Sequence, residues 1–439
     1  MTPVHLRALR TLLRHRGGNV LMMFALTLPI LTCSIGMGVD YARAMKAQTK
    51  LNAIADAAAL LAVSKSAMRA DDTYAANIAR AFFNLQAVGL TKSGGVALSN
   101  VTIQAPTDAN GRRSATVSYR GVSNNVFARI LGIDTLTISG RSATTNAVAP
   151  DIDFYMLLDV SGSMALPTTS AGLAKVAASN EKGCKFACHS TNDLTGIDAN
   201  GKTTDLYGVA KSYGLSLRID DEGTAVSKLT TNATNTSSKN GANYRITIAS
   251  FRGRGGYSIL QPKTGNMKLA ASKTANLTPS LFYSNLCPTQ ACKSTEVGFD
   301  DQDTGSSDAM DQMNATIDDP GNGIGKAAPQ AVLFIITDGM RDEQRSGGVP
   351  EVAFDTAKCD MIKNRNVRIA ILYTEYLPES MDGDKWSQDN VKPRLYKVEP
   401  ALKACASSGL YTKVTTDQDI YGALDRLFQN AVATARITG

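Results

Sequence analysis

From Asn19 to Val39 the chain reads NVLMMFALTLPILTCSIGMGV, twenty-one residues without a charged side chain. A bilayer core of about 30 Å needs about 20 helical residues, so one helix of this length spans it. Pro29, Gly36 and Gly38 would weaken a soluble helix, yet a membrane helix tolerates such residues where freed backbone groups find other partners. Arg7, Arg10, Arg14 and Arg16 precede the run without an acid among them, and Asp40 follows it directly. The positive-inside rule therefore assigns residues 1–18 to the cytoplasm as a basic leader, residues 19–39 to the membrane, and the remainder to the far side. A cleaved secretory signal would share the basic start and the apolar run. Against it, the run exceeds a signal core of about 7–15 residues, no small-x-small cleavage site follows, and helical pattern continues beyond.

In that continuation Tyr41, Met45, Leu51, Ile54 and Leu61 ride an alanine-rich stretch with few helix breakers. Residues 16–63 resemble the N-terminal module of TadE/TadG-like proteins of the tight-adherence (Flp) pilus assembly system. The likeness lies in the Arg-Gly-Gly-Asn lead-in, the Pro-interrupted helix, the Val-Asp-Tyr exit and the alanine-rich follow-on. It implies a single-pass protein of the bacterial inner membrane, N-terminus cytoplasmic and C-terminal domain periplasmic, acting in pilus assembly. Pilin-like members of that system are cut after a glycine with a glutamate five residues on. Met23 stands in that place after Gly18, which argues against such processing.

Residues 40–95 are expected to form a helical stalk. Residues 96–150 alternate apolar and polar side chains between turn signals, the pattern of a small α+β module at the membrane. With 43% apolar residues the chain is a packed globular protein, and its formal charge of +7 is partly the local work of the leader, so no nucleic-acid partner is expected. His5 and His15 lie in the leader, leaving His189 alone downstream. That argues against Ser/His/Asp or Cys/His catalysis, and no small-molecule substrate or enzymatic activity is expected.

Five short, apolar, β-branched runs follow residue 150: IDFYMLLD, YRITIASF, AVLFIITD, VRIAILYT and GLYTKVTT. Helical stretches separate them, which predicts an α/β fold over residues 151–439, a doubly wound, mostly parallel sheet of Rossmann-like character. Ligands of such sheets bind at the carboxyl ends of the strands. Three loops belong there: Asp159-Val160-Ser161-Gly162-Ser163, Thr304-Gly305-Ser306, and Thr337-Asp338-Gly339. Their order and types resemble the metal-ion-dependent adhesion site of von Willebrand factor A-type domains. The resemblance implies that Ser161, Ser163 and Thr304 ligate a divalent cation through hydroxyls, with Asp159 and Asp338 bound directly or through water. Hard oxygen donors suit Mg²⁺, with Mn²⁺ or Ca²⁺ as substitutes. A site donating only two carboxylates keeps a position for a partner's acidic residue. Thr295 and the acidic cluster Asp300, Asp301 and Asp303 lie near enough to Thr304 to shift its register, and that cluster holds the only candidate general base for metal-assisted hydrolysis.

Two stretches, at about 165–215 and 253–303, depart from a minimal domain and read as loops near the metal face. The first carries Cys184-Lys185-Phe186-Ala187-Cys188-His189, one spacer too long for the C-x-x-C-H of covalent haem, and zinc would lack an obvious fourth ligand. Closeness along the chain suggests disulfides Cys184 to Cys188, Cys287 to Cys292 and Cys359 to Cys405, one of fifteen possible connectivities. The expected function is cation-dependent binding of an envelope or pilus protein by a domain anchored in the lipid bilayer. The alternative is an anchored scaffold whose cation only stabilises the domain.

Overall fold

The computed structural model describes residues 18–108, 111–147, 149–185, 194–253, 256–279, 304–324, 327–343 and 351–435. Two compact units divide the chain at residues 148 and 149. The basic leader with Arg7, Arg10, Arg14 and Arg16 lies outside the described residues.

In the first unit, α1 (Gly18–Ala62) is one continuous helix with Pro29 inside it. The hydroxyls of Thr27, Thr32 and Ser34 donate to the carbonyls of Met23, Leu28 and Ile30 at 2.9, 2.8 and 2.8 Å, so the polar groups of the apolar run are satisfied within the helix. This run is the one described helix long and apolar enough to cross a membrane, and its side chains, such as Val20, Ile30 and Ile35, are exposed. Beyond Asp40 the same helix acquires a buried stripe, with Ala44, Ala47, Leu51, Ala55, Ala58 and Ala62 at helical spacing.

After a turn, α2 (Asp72–Lys92) packs on α1, its first turn capped by Asp71, which accepts from the Tyr74 amide at 2.7 Å. The strands β1 (Val96–Gln104), β2 (Arg112–Asn124) and β3 (Thr135–Ala147) form an antiparallel meander with β2 central. Leu51, Phe83, Tyr119 and Ile138 share one core between helices and sheet, and the Tyr119 hydroxyl donates to Asn52 Oδ1 at 2.7 Å. Residues 40–95 are thus the helical layer of this unit, where the sequence suggests a stalk. Alanines that suit a free-standing helix serve equally to bring helix and sheet close together.

The second unit is built on a six-stranded sheet in the order β11-β10-β9-β4-β7-β8. Its strands are β4 (Ile152–Asp159), β7 (Tyr244–Phe251), β8 (Ser258–Thr264), β9 (Gln330–Thr337), β10 (Arg368–Thr374) and β11 (Tyr411–Val414). Five are parallel, but β8 pairs antiparallel with β7 at the edge, so the sheet is mixed. Strand β8 falls in the stretch that reads as irregular, because its half-polar SILQPKT contains Pro262, a residue tolerated only where a strand has a free edge.

Alternate residues of β4 enter two cores. Phe154, Met156 and Leu158 pack with α5 (Arg218–Asn240), α6 (Met267–Thr274) and α11 (Ile420–Thr434). Tyr155 and Leu157 face α7 (Ser306–Thr316), α8 (Thr356–Lys363) and α10 (Val398–Cys405), with the short α9 (Lys385–Asn390) preceding α10 in the chain. Phe154 sits at the centre of an aromatic cluster, 5.3 Å from Tyr244 and Phe428 and 6.0 Å from Phe334 between ring centroids.

The described residues of the insertion at 165–215 include helices and a hairpin where the sequence reads as loop. It holds α3 (Ser170–Ala178), a small hairpin of β5 (Thr195–Ile197) with β6 (Thr203–Asp205), and α4 (Leu206–Ser212). Leu173, Val176, Leu206 and Ala210 pack it onto Met164 and Leu217. Gly214, with φ +64°, separates α4 from α5.

Cys359 on α8 and Cys405 on α10 are disulfide-bonded, with Cα atoms 5.2 Å apart. Cys184 is buried and also disulfide-bonded. Cys188, His189, Cys287 and Cys292 lie outside the described residues, and Cys33 is a free thiol in α1.

Candidate metal centre

Strands β4 and β9 run parallel, with Leu158 opposite Ile336, so Asp159 and Thr337 reach the same carboxyl edge side by side. The Thr337 hydroxyl donates to Asp159 Oδ2 at 2.6 Å, and the Ser161 amide donates to Oδ1 at 3.0 Å. The chain then winds into a tight turn at Gly162–Ala165, which leaves the hydroxyls of Ser161 and Ser163 3.1 Å apart. One loop therefore presents a carboxylate and two hydroxyls.

Asp338 follows β9, one of its oxygens accepting from the Met340 amide at 3.2 Å. A glycine must come next. Gly339 has φ +78°, and a Cβ there would lie 2.6 Å from Val398 and 2.8 Å from Leu402. Thr304 exchanges backbone hydrogen bonds with Asp342 at 3.3 and 3.1 Å, while the Gly305 amide donates to Arg252 at 3.0 Å. Those bonds tie the threonine loop to the loop after β9 and to the end of β7, the neighbour of β4. Glu343 accepts from the Ser307 amide at 2.6 Å and so holds the start of α7 against the same loop. Asp159, Ser161, Ser163, Thr304 and Asp338 are all buried at this edge. Thr295, Asp300, Asp301 and Asp303 lie outside the described residues.

Two residues that sequence reading passed over complete the surroundings. Arg218 and Glu222 occupy the first turns of α5, both buried. The Arg218 guanidinium lies 3.7 Å from Asp338 Oδ2 and donates to the Glu375 carbonyl. Neither oxygen of Glu222 has a hydrogen-bond partner of good geometry, although the Asp159 amide is near enough to offset part of its burial. Their i, i+4 spacing among Ile219, Ala225 and Val226 puts both on the apolar face of the helix, a signal visible in the sequence.

Asp159, Asp338 and Glu222 are each fully buried, and the Arg218 guanidinium attracts Asp338 and, less strongly, Asp159. Among the described residues, three buried carboxylates thus gather near one guanidinium, and uncompensated buried charge is costly. Burial first, and then the charge of Asp338, raise the Asp159 carboxyl to about 7. Burial lifts Glu222 well above the usual carboxylate range, helped by the charges of Asp159 and Asp338. It also pulls Arg218 below its ordinary value, against the attraction of Asp338.

A cation would relieve this imbalance. Among the described residues, no group of three Asp, Glu, His or Cys side chains is arranged to hold a metal by itself, so an ion here would draw on the hydroxyls. The Ser306 hydroxyl, beside Thr304, is buried without a partner and adds another oxygen. The donors are all hard oxygens, the chemistry of Mg²⁺, Mn²⁺ or Ca²⁺.

Residues 18–69 match the family described as "Putative Flp pilus-assembly TadE/G-like". No curated protein sequence matches the chain. Solved structures with similarity include the conserved hypothetical protein BatB from Bacteroides thetaiotaomicron, at 14% identity over 64% of this chain and 99% of that one, TM-score 0.34. The vWF domain of the type V pili tip protein Mfa5 from Porphyromonas gingivalis matches at 12% identity over 66% and 97%, TM-score 0.35. Proximal thread matrix protein 1 from the mussel byssus, with a zinc-occupied MIDAS motif, matches at 11% identity over 66% and 46%, TM-score 0.31.

Proposed function

We propose, proceeding from the TadE/G-like module at residues 18–69, that this chain is an envelope protein of a pilus system, anchored by α1, whose second unit is a von Willebrand A-type domain binding a partner protein through a divalent cation. Asp159, Ser161, Ser163, Thr304 and Asp338 hold the ion, preferentially Mg²⁺. An acidic side chain of a pilus or envelope protein completes its coordination. The observation that carries this reading is the convergence of three loops, bearing two carboxylates and three hydroxyls, at the carboxyl edge of the sheet, with a third buried carboxylate, Glu222, near enough to Asp159 and Asp338 to feel their charge.

The chain's own residues perform the positioning. Thr337 and the Ser161 amide fix the plane of the Asp159 carboxylate. The ion supplies a charge able to accept an outside oxygen. Arg218 keeps Asp338 partly neutralised until an ion arrives. With the basic leader cytoplasmic, the domain lies in the periplasm of a bacterial inner-membrane protein, a compartment in which the Cys359–Cys405 disulfide persists. No catalytic role is needed.

The test is adhesion of the detergent-solubilised full chain to immobilised pilus subunits in Mg²⁺ and after chelation. Retention in Mg²⁺, lost on chelation and in Thr304→Ala, is the expected result. Retention indifferent to both would remove the cation from the interaction. A second reading, a scaffold whose ion serves stability alone, draws on the mutual repulsion of the buried Asp159, Asp338 and Glu222 carboxylates, which an ion would relieve. It predicts that chelation lowers stability and leaves adhesion unchanged.

A further inference from the structure

Asp40, the first charged residue after the apolar run, is 3% exposed, and its carboxylate accepts from the amides of Val126, Phe127 and Ala128 at 2.9, 2.8 and 2.8 Å. Three donors on one carboxylate hold the β2–β3 connection, with its short turn at Ala128–Leu131, against α1. The same connection touches the apolar run itself. A Cβ on Gly36 would fall 2.5 Å from Phe127 Cβ and 2.7 Å from its Cγ, so the helix has no side chain where Phe127 lies on it. Gly36 is one turn before Asp40, about 6 Å back into the uncharged segment at 1.5 Å per residue.

The outward side of this connection is apolar and open. Ile130 is 76% exposed, Val126 and Leu131 are 54% each, Ile133 is 47% and Phe127 is 43%. Clustered exposure of this kind marks an interaction surface. It is continuous, across Phe127 and Gly36, with the exposed side chains of α1, where Ile35 is 68% exposed. Arg129 stands among these residues, exposed and 3.4 Å from Asp134. A long basic side chain in that position lays its stem along apolar neighbours and carries its charge to the headgroups.

We propose that residues 126–133 are a wedge seated in the bilayer interface at the Val39 end of α1, giving the first unit a second grip on lipid beside its helix. This rests on the reading of α1 as a membrane anchor. Asp40 and Gly36 serve as its mounting: the carboxylate fixes the backbone of the wedge, and the missing side chain lets it approach at bilayer depth. One helix alone leaves a domain free to rotate about the helix axis. Two attachments remove that freedom and set the height of the sheet above the membrane.

The test uses the full chain in phosphatidylcholine vesicles containing phosphatidylglycerol, in a Trp386→Phe background, because Trp386 is the only tryptophan. Single tryptophans are placed by Ile130→Trp, Phe24→Trp and Tyr74→Trp and quenched with lipids brominated near the headgroup or near the chain end. The wedge predicts that Ile130→Trp loses most of its emission to shallow bromines and little to deep ones, Phe24→Trp is quenched, and Tyr74→Trp is quenched by iodide alone. Unquenched Ile130→Trp beside quenched Phe24→Trp overturns the wedge while leaving the anchor standing. If that tryptophan is also shielded from iodide, a protein covers the patch instead. Absence of quenching at both positions overturns the anchor and the wedge together. Leu131→Trp replaces Ile130→Trp should circular dichroism show the latter unfolded.

Discussion

Thr337 Oγ1 lies 2.6 Å from Asp159 Oδ2 and donates to it across the two central strands of the sheet. With the Ser161 amide on the other oxygen, both oxygens of Asp159 accept a hydrogen bond, and a carboxylate's remaining lone pairs can take an ion or a bound water. Replacing Thr337 by Val keeps the shape and removes the donor. The account predicts a loss of about 1–3 kcal/mol in stability, the usual consequence of stripping a buried charged group of a partner. Chemical denaturation at pH 8 without divalent ions measures it.

Asp159 supplies a pH dependence of definite sign. Its carboxyl is raised from 3.8 to about 7, so between those values the native state holds a proton that the unfolded chain has released. Stability of the cation-free protein must therefore fall as pH rises through that window. Glu222, shifted in the same direction, steepens the fall. Saturating Mg²⁺ should flatten the profile, because the ion replaces the protons. Thermal unfolding from pH 5 to 8, with chelator and with Mg²⁺, shows whether the two curves diverge at the alkaline end.

Arg218 and Asp338 form a buried pair at 3.7 Å, and the guanidinium opposes the same carboxylates that an ion would. Arg218→Met should lower the stability of the cation-free protein by about 3 kcal/mol, the order expected when one member of a buried pair is removed. The same change should tighten Mg²⁺ binding, since a competing positive charge has gone. Calorimetric titration of both proteins separates the two effects.

The Cys359–Cys405 bridge joins α8 to α10 across 46 residues, beneath the helix whose Val398 and Leu402 pack on Gly339. A closed loop of this length is worth about 2–4 kcal/mol. Replacing both cysteines by Ala should cost that amount in unfolding experiments. It should also weaken cation binding, because α10 supports the backbone of the Asp338 loop.

Much of this arrangement is legible in the sequence because buried parallel strands are nearly continuous apolar runs. IDFYMLLD and YRITIASF coincide with β4 and β7 to the residue. Edge elements carry a weaker signal: β8 is half polar, and α10 is too short for periodicity to stand out. The packing of Ala44 to Ala62 against a sheet is likewise hidden, since alanine suits an exposed helix as well as a close contact. At the candidate metal centre, the loop residues announce themselves by type and order. Glu222 and Arg218 do not, because charged residues in a helix ordinarily face solvent, and only their apolar neighbours reveal the buried face.

The most direct measurement is isothermal titration of Mg²⁺ and Mn²⁺ into the purified full chain and its Asp159→Ala variant, with circular dichroism to establish that both are folded. The account predicts saturable binding of one ion by the native protein and none by the variant. A folded native protein that binds no ion, or a variant that binds as well as the native protein, would contradict it.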